Sequence, residues 1–372
     1  MKNYENIENL INIKSFDMTQ NKEIIDYLVA KFLPFAKEIK RIKNQNDNRE
    51  NLIIGLNTKL YEVSNAIILS GHIDTVVADE KSYKTNPYVA TRIDDKLFGL
   101  GAIDMKSYFA CILDNIQAIK ALKTPIIIAI TGDEETKLAG VENVVAMLKQ
   151  QKIKPALTIV GEPTNMNLCS QSKSCYEYQI EIIGKGCHSS MPQNGINANY
   201  ILARIALYIQ KLCKKFPDTT LSANLICGGE KINIISPYAK LCFDLRSNST
   251  KNTENVLKKL NNYIKQLKKQ YFGAKISISN ALSIPPLERK DSAIISSIIK
   301  KFGLQEKDFQ GGCEAGYYQA LGGDAFVFGV GDLALAHKPN EFVNLKEYDL
   351  FCTKFLQILR FVESSMLSIN AY

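Results

Sequence analysis

Histidine is scarce in this chain: 372 residues contain three. The nine cysteines, an odd number, stand singly with no CxxC pair, which suits a reducing cytoplasm better than secretion. Cys111, Cys213, Cys242 and Cys352 lie in apolar runs and are expected as small core residues. No apolar run reaches the roughly eighteen residues of a membrane span, and Met1-Lys2-Asn3-Tyr4-Glu5-Asn6 lacks the apolar core of a signal peptide. Repeats and low-complexity tracts are also missing. The net charge of +8 comes from lysines spread over many segments rather than from one block. The densest stretch, Lys37 to Arg49, also holds Glu and Asp and reads as a solvated loop, so neither nucleic acid nor a membrane is an expected partner. The expectation is a cytoplasmic globular protein that acts on small molecules.

A chain of this length exceeds what one core usually holds, so two domains are expected. From residue 20 helix and strand patterns alternate. Ile24, Ile25, Leu28, Val29, Phe32 and Leu33 recur at helical spacing up to Pro34, and β-rich runs follow at Asn51 to Ile54 and Ala66 to Leu69. A helical stretch from Lys106 to Leu122 leads into Ile126-Ile127-Ile128-Ala129-Ile130, too apolar for a half-exposed strand; a helix near Gly140 to Gln151 then leads to Ala156–Val160. This order predicts an α/β domain with a mostly parallel sheet flanked by helices. Past residue 173 the pattern becomes β-α-β-β-α-β, which predicts an inserted ferredoxin-like α+β domain. The expected division is 1–173 with 284–372 for the first domain and 174–283 for the second, with hinges near Ser174 and Ser283.

The three histidines stand where a hydrolytic metal site needs them. His72 ends the run Ala66 to Gly71, His337 follows Ala325 to Val330 by a short turn, and His188 lies in Gly186-Cys187-His188-Ser189-Ser190. In an open parallel sheet, ligands bind beyond the carboxyl ends of the strands. At those ends the sequence also places Asp74, the Asp133-Glu134-Glu135 run and Glu162. His72 and Asp74 share a face in an extended chain, so the carboxylate is expected to accept the second imidazole N–H. Two adjacent glutamates can divide labour, one binding a metal and the other taking a proton from water. Each residue also has a plain structural reading: His72 as a satisfied strand-end histidine, Asp104 as a helix cap, Glu162 as part of a turn, and the acidic run as a solvated loop.

Several segments together resemble the dinuclear zinc M20-type deacylases and peptidases, a family that includes acetylornithine deacetylase, succinyl-diaminopimelate desuccinylase, aminoacylases and carboxypeptidases. They are Ser70 to Val76, Gly99 to Lys106, Asp133 to Thr136 with Ala139-Gly140, Gly161 to Thr164, His188 to Ser190 with Pro192, Gly195, Asn197 and Ala198, and Ala336 to Glu341. The resemblance implies that His72, Asp104 and Glu162 hold one zinc and Asp104, Glu135 and His337 the other, with cobalt a possible substitute. It makes Glu134 the general base, Asp74 the partner of His72, and His188 a donor to the tetrahedral intermediate, and it implies a cis bond after Asp104. Gly99-Leu100-Gly101, His72 to Val76 and Asp133 to Thr136 are most similar to the acetylornithine deacetylase branch, whereas Ser107 stands where the family usually has Gly. The implied substrate is an N-acyl amino acid, N2-acetyl-L-ornithine first, with other acylated amino acids or dipeptides as alternatives and a non-catalytic binding protein as a distant one. Arg246, in Asp244-Leu245-Arg246, is a candidate for the substrate carboxylate or else a surface ion pair. Glu314 is a candidate for the substrate ammonium group. A homodimer through the inserted domain is the possible assembly.

Overall fold

A computed structural model describes residues 3–16, 20–45 and 47–369. The chain forms two compact units: one of residues 1–171, 289–309 and 313–372, the other of 172–288 with 310–312.

The first unit is built on an eight-stranded sheet. Ile126–Thr131, Ser64–His72, Lys154–Val160 and Asp324–Val327 lie side by side and mutually parallel at its centre. The Ile126–Thr131 strand is buried along its whole length, as its unbroken apolar run requires. Register aligns the carboxyl ends: His72 pairs with Thr131, Ser70 with Val160, and Val160 with Val327. The antiparallel strands Glu50–Gly55 and Glu38–Lys43 extend one side, and Leu168–Ser172 and Glu306–Phe309 the other. Helices pack on this sheet through an apolar core that includes Ile24, Leu28, Phe109, Ile112, Phe351 and Phe355.

Three sequence expectations need correction. Lys37 to Arg49 is not a solvated loop, because Glu38–Lys43 is the sheet's edge strand and Arg49 is 1% exposed. The helix expected over Lys106 to Leu122 is two helices, Lys106–Asp114 and Ile116–Lys120, divided at Asn115, whose side-chain amide donates to the Cys111 carbonyl. Among the four cysteines expected in the core, Cys111 and Cys352 are buried, whereas Cys213 and Cys242 are half-buried. A small three-stranded sheet of Thr91–Ile93, Lys96–Phe98 and Phe342–Asn344 has no counterpart among the sequence expectations. It brings Glu341 against the Gly99 to Asp104 loop, where the Gly99 amide donates to the Glu341 carbonyl at 3.1 Å.

The second unit is a four-stranded antiparallel sheet ordered Thr219–Gly228, Tyr238–Ser247, Cys175–Ile183, Lys275–Ile284. Helices Ala198–Cys213 and Thr250–Gln270 complete the β-α-β-β-α-β order. Ala239, Leu241, Phe243 and Leu245 alternate along their strand and share a core with Ile201, Ile205 and Ile209 of one helix and Val256, Leu260 and Ile264 of the other. Each helix starts on a side-chain cap: Asn197 accepts from the Asn199 amide and Ser249 from the Asn252 amide. Among the described residues no helix is long and apolar enough to cross a membrane.

Candidate metal centre

Four strand ends converge. His72, 1% exposed, stands between two carboxylates, its Nε2 3.1 Å from Asp104 Oδ1 and 3.7 Å from Glu162 Oε1. His337 Nε2 lies 3.2 Å from the other Asp104 oxygen and 2.7 Å from Glu135 Oε1. Two candidate ligand triads therefore share Asp104, and within each the donor atoms lie within 4.8 Å of one another. Glu134 forms a third such group with His72 and Glu135, so position alone leaves it free to bind a cation or to act beside one.

The local chain explains these placements. Asp104 does not cap the following helix, whose cap position is Met105 with no side-chain bond; its carboxylate is left to the two imidazoles. The Asp104–Met105 bond is cis. Glu341 is buried and takes three backbone amides of the preceding loop, Gly101 at 3.0 Å, Ile103 at 2.8 Å and Asp104 at 3.2 Å. The turn carrying Glu162 is tight because a Cβ on Gly161 would come 2.1 Å from the Tyr108 ring. Lys106, also buried, donates to the Ile13 carbonyl at 2.8 Å.

Asp74 differs from its expected arrangement. His72 Nδ1 meets the Asp74 backbone carbonyl at 3.0 Å, and the nearer carboxylate oxygen is 3.7 Å away. That carboxylate accepts instead the amides of Glu134 at 3.1 Å and Glu135 at 3.0 Å. Asp74 thus fixes the loop bearing both glutamates, while its main-chain carbonyl engages His72 Nδ1 and leaves Nε2 to face the triad. Asp133 is removed from the chemistry, its two oxygens being occupied by the Gly140 amide and Asn44.

Glu314 is not placed to meet a substrate. It is fully buried, and its carboxylate accepts from Ser70 at 3.1 Å and from Thr131, two residues of the strands that lead to the site. In the second unit, Arg246 directs Nε at Asp244, 2.9 Å from Oδ2. His188 is exposed, and its Nδ1 lies 3.2 Å from the Ser190 amide and 2.7 Å from its hydroxyl. A backbone amide can only donate, so Nδ1 accepts and the hydrogen of the neutral ring sits on Nε2.

Electrostatics show what the cluster lacks. Burial pushes Glu134 and Glu162 well above the usual carboxylate range; the charges of Glu162 and Glu135 add to this at Glu134, and those of Asp104 and Glu135 at Glu162. Burial likewise raises Asp74 to about 6 and Glu314 and Glu341 to about 7. At Asp104 burial is outweighed by the His337 and His72 hydrogen bonds, which hold the carboxyl below its ordinary value. His337 is raised to about 10 by its hydrogen bonds to Asp104 and Glu135. Crowded carboxylates with two imidazoles call for added positive charge, and mixed nitrogen and oxygen donors suit a divalent first-row metal.

Glu341 and Lys106 were not assigned roles from sequence. For Glu341 the available signal was its place in the Ala336 to Glu341 segment, four residues after His337. Glu341→Gln keeps the shape but weakens the acceptor for three amides. It is expected to lower metal affinity about 10- to 100-fold, the range for groups supporting metal ligands. Competitive chelator titration measures this, and unchanged affinity would limit Glu341 to folding.

Residues 68–360 match Peptidase family M20/M25/M40. The chain is 31% identical over 352 residues to the acetylornithine deacetylase of Buchnera aphidicola subsp. Acyrthosiphon pisum (strain Tuc7), covering 90% of this chain and 89% of that protein. It is 30% identical to the acetylornithine deacetylase of Photorhabdus laumondii subsp. laumondii, covering 75% of each. Among solved structures, a tripeptidase from Staphylococcus aureus superposes with a TM-score of 0.76 at 22% identity, over 98% of this chain and 100% of that one. An M20 family metallo-carboxypeptidase from Sulfolobus solfataricus gives 0.70 at 17% identity, over 98% and 100%. The site and the fold are those of a metal-dependent hydrolase. The chain belongs to peptidase family M20/M25/M40.

Proposed function

We propose that this enzyme is a dinuclear zinc amidohydrolase that converts N2-acetyl-L-ornithine to L-ornithine and acetate. The observation that carries the metal part is the sharing of Asp104 between the His72–Glu162 pair and the His337–Glu135 pair. The substrate rests on the acetylornithine deacetylases at 30–31% identity. When bound, two zinc ions would polarise the acyl carbonyl and favour ionisation of the attacking water. Glu134, held by its amide to Asp74, takes a proton from that water as its oxygen bonds to the acyl carbon. The C–N bond then breaks and Glu134 returns the proton to the leaving amine. His188, with its hydrogen on Nε2, donates to the developing oxyanion. Arg246 would pair with the substrate carboxylate after exchanging Asp244 for it. The second unit acts as a lid and as the dimerisation module; its edge strand Thr219–Gly228 exposes Leu225 and Ile226, an apolar edge suited to a second copy.

A kinetic screen of the zinc-loaded chain against N2-acetyl-L-ornithine, N-succinyl-diaminopimelate and dipeptides tests the reading. Acetylornithine should have the highest kcat/KM, with metal content near two per chain at saturation. A higher value for another substrate would reassign the specificity, and saturation at one metal would remove the shared-ligand arrangement.

A further inference from the structure

The turn between strands Glu38–Lys43 and Glu50–Gly55 is polar, yet Asn44 and Arg49 at its two ends and Asn51 just inside the second strand are buried, at 6%, 1% and 0% exposed. These side chains reach the loop that follows Ile126–Thr131. Asn51 Oδ1 accepts the Gly132 amide at 3.0 Å, and its Nδ2 donates to Asn44 Oδ1 at 3.0 Å and to the Ile42 carbonyl at 3.2 Å. Asn44 Nδ2 donates to Asp133 Oδ2 at 3.2 Å, while Asp133 Oδ1 takes the Gly140 amide at 2.7 Å. Arg49 is itself anchored on Asp47, its Nη2 2.9 Å from Oδ2, and its Nη1 donates to Thr136 Oγ1 at 2.7 Å. Thr136 passes its own hydrogen to the Asp133 carbonyl at 3.2 Å. The fit is close, since a Cβ on Gly140 would sit 2.3 Å from Asn51 Oδ1.

Glu134 and Glu135 are thus gripped from two sides. Asp74 holds their amides, and the turn holds the residues immediately before and after them, Gly132, Asp133 and Thr136. Partners on only one side would leave the loop a pivot. We propose that the hairpin turn, through Asn51, Asn44 and above all Arg49, is a positioning device that fixes where Glu134 stands relative to the metal ligands. This rests on the reading of Glu134 as the base. Arg49 acts through Thr136 and is a positioning residue, not a catalytic one.

If Arg49 and Thr136 act as one unit, breaking their bond from either side displaces Glu134, and Thr136→Val also gives up the bond to the Asp133 carbonyl. Misplacements of about an ångström cost up to roughly a hundredfold in rate. Arg49→Met, Thr136→Val and the double variant, zinc-loaded as full chains and assayed with the substrate turned over fastest in the screen, test this well below their unfolding temperatures. Each single variant should lose about tenfold or more in kcat at full metal content, with KM within about twofold. The double variant should fall no further than the worse single one. Parental kcat in the variants, losses that multiply, or losses that track metal content would each overturn the inference. Should Arg49→Met fail to fold, Thr136→Val, nearly isosteric, decides on its kcat and KM alone. Glu134→Gln separates the two readings: full activity there removes the base itself, whereas an inactive Glu134→Gln beside a fully active Thr136→Val removes only the positioning device.

Discussion

Glu134→Gln is expected to retain both metals and lose roughly 10²- to 10⁴-fold in turnover, the range for a positioned general base. The amide matches the carboxylate in size and keeps its backbone bond to Asp74, so neither triad of ligands is disturbed. What disappears is the proton acceptor. Glu135→Gln supplies the contrast: Glu135 lies 2.7 Å from His337, in the triad completed by Asp104, and its loss should weaken metal binding before it slows chemistry. Metal analysis and steady-state kinetics on the same samples separate the two effects. Near-normal turnover in fully metallated Glu134→Gln would place the base elsewhere.

The second large effect is expected at His188. His188→Ala should leave metal content and fold intact and lower kcat by about 10²- to 10³-fold, the loss typical for one oxyanion donor. The residue is exposed and its Nδ1 is already engaged by Ser190, so the substitution opens no cavity and removes one outward N–H. A change confined to KM would make His188 a substrate-binding group, because an interaction made only in the transition state lowers kcat.

Much of the architecture was legible because buried strands and amphipathic helices impose strict periods. Ile126 to Ile130 can serve only a strand covered on both faces, and the alternation from Ala239 to Leu245 fixes which face meets the helices. The edge strand Glu38–Lys43 escaped because an edge carries Lys, Arg and Glu on a half-solvated ribbon, the same composition that marks a loop. Helix Glu5–Asn12 escaped because its buried stripe is only Ile7, Leu10 and Ile11. At the site, His72, Glu135 and Glu162 were conspicuous since each stands at, or a few residues beyond, the end of a central strand. Their supports were not. Nothing in sequence ties Glu314 to Ser70 or Arg49 to Thr136, since those bonds span 244 and 87 residues and exist only once the sheet is assembled. The Asp74 carboxylate was paired with His72 by spacing, but it meets the next strand's loop, whose amides are better donors to it than a ring nitrogen 3.7 Å away.

The surplus of buried carboxylates couples this fold to the proton. Glu314 and Glu341 titrate at about 7 in the folded chain against an ordinary value of 4.5. Between those two pH values the folded metal-free chain holds more protons than the unfolded one, so its stability falls as pH rises through that window. A cation acts in the opposite sense at the carboxylates that bind it, since each of them must shed its proton. Metal capture and acid release are then one equilibrium. Raising the pH through that window strips the empty protein of this stability while tightening its hold on the ion, and lowering it frees the ion while leaving the emptied fold at its most stable with respect to these two groups.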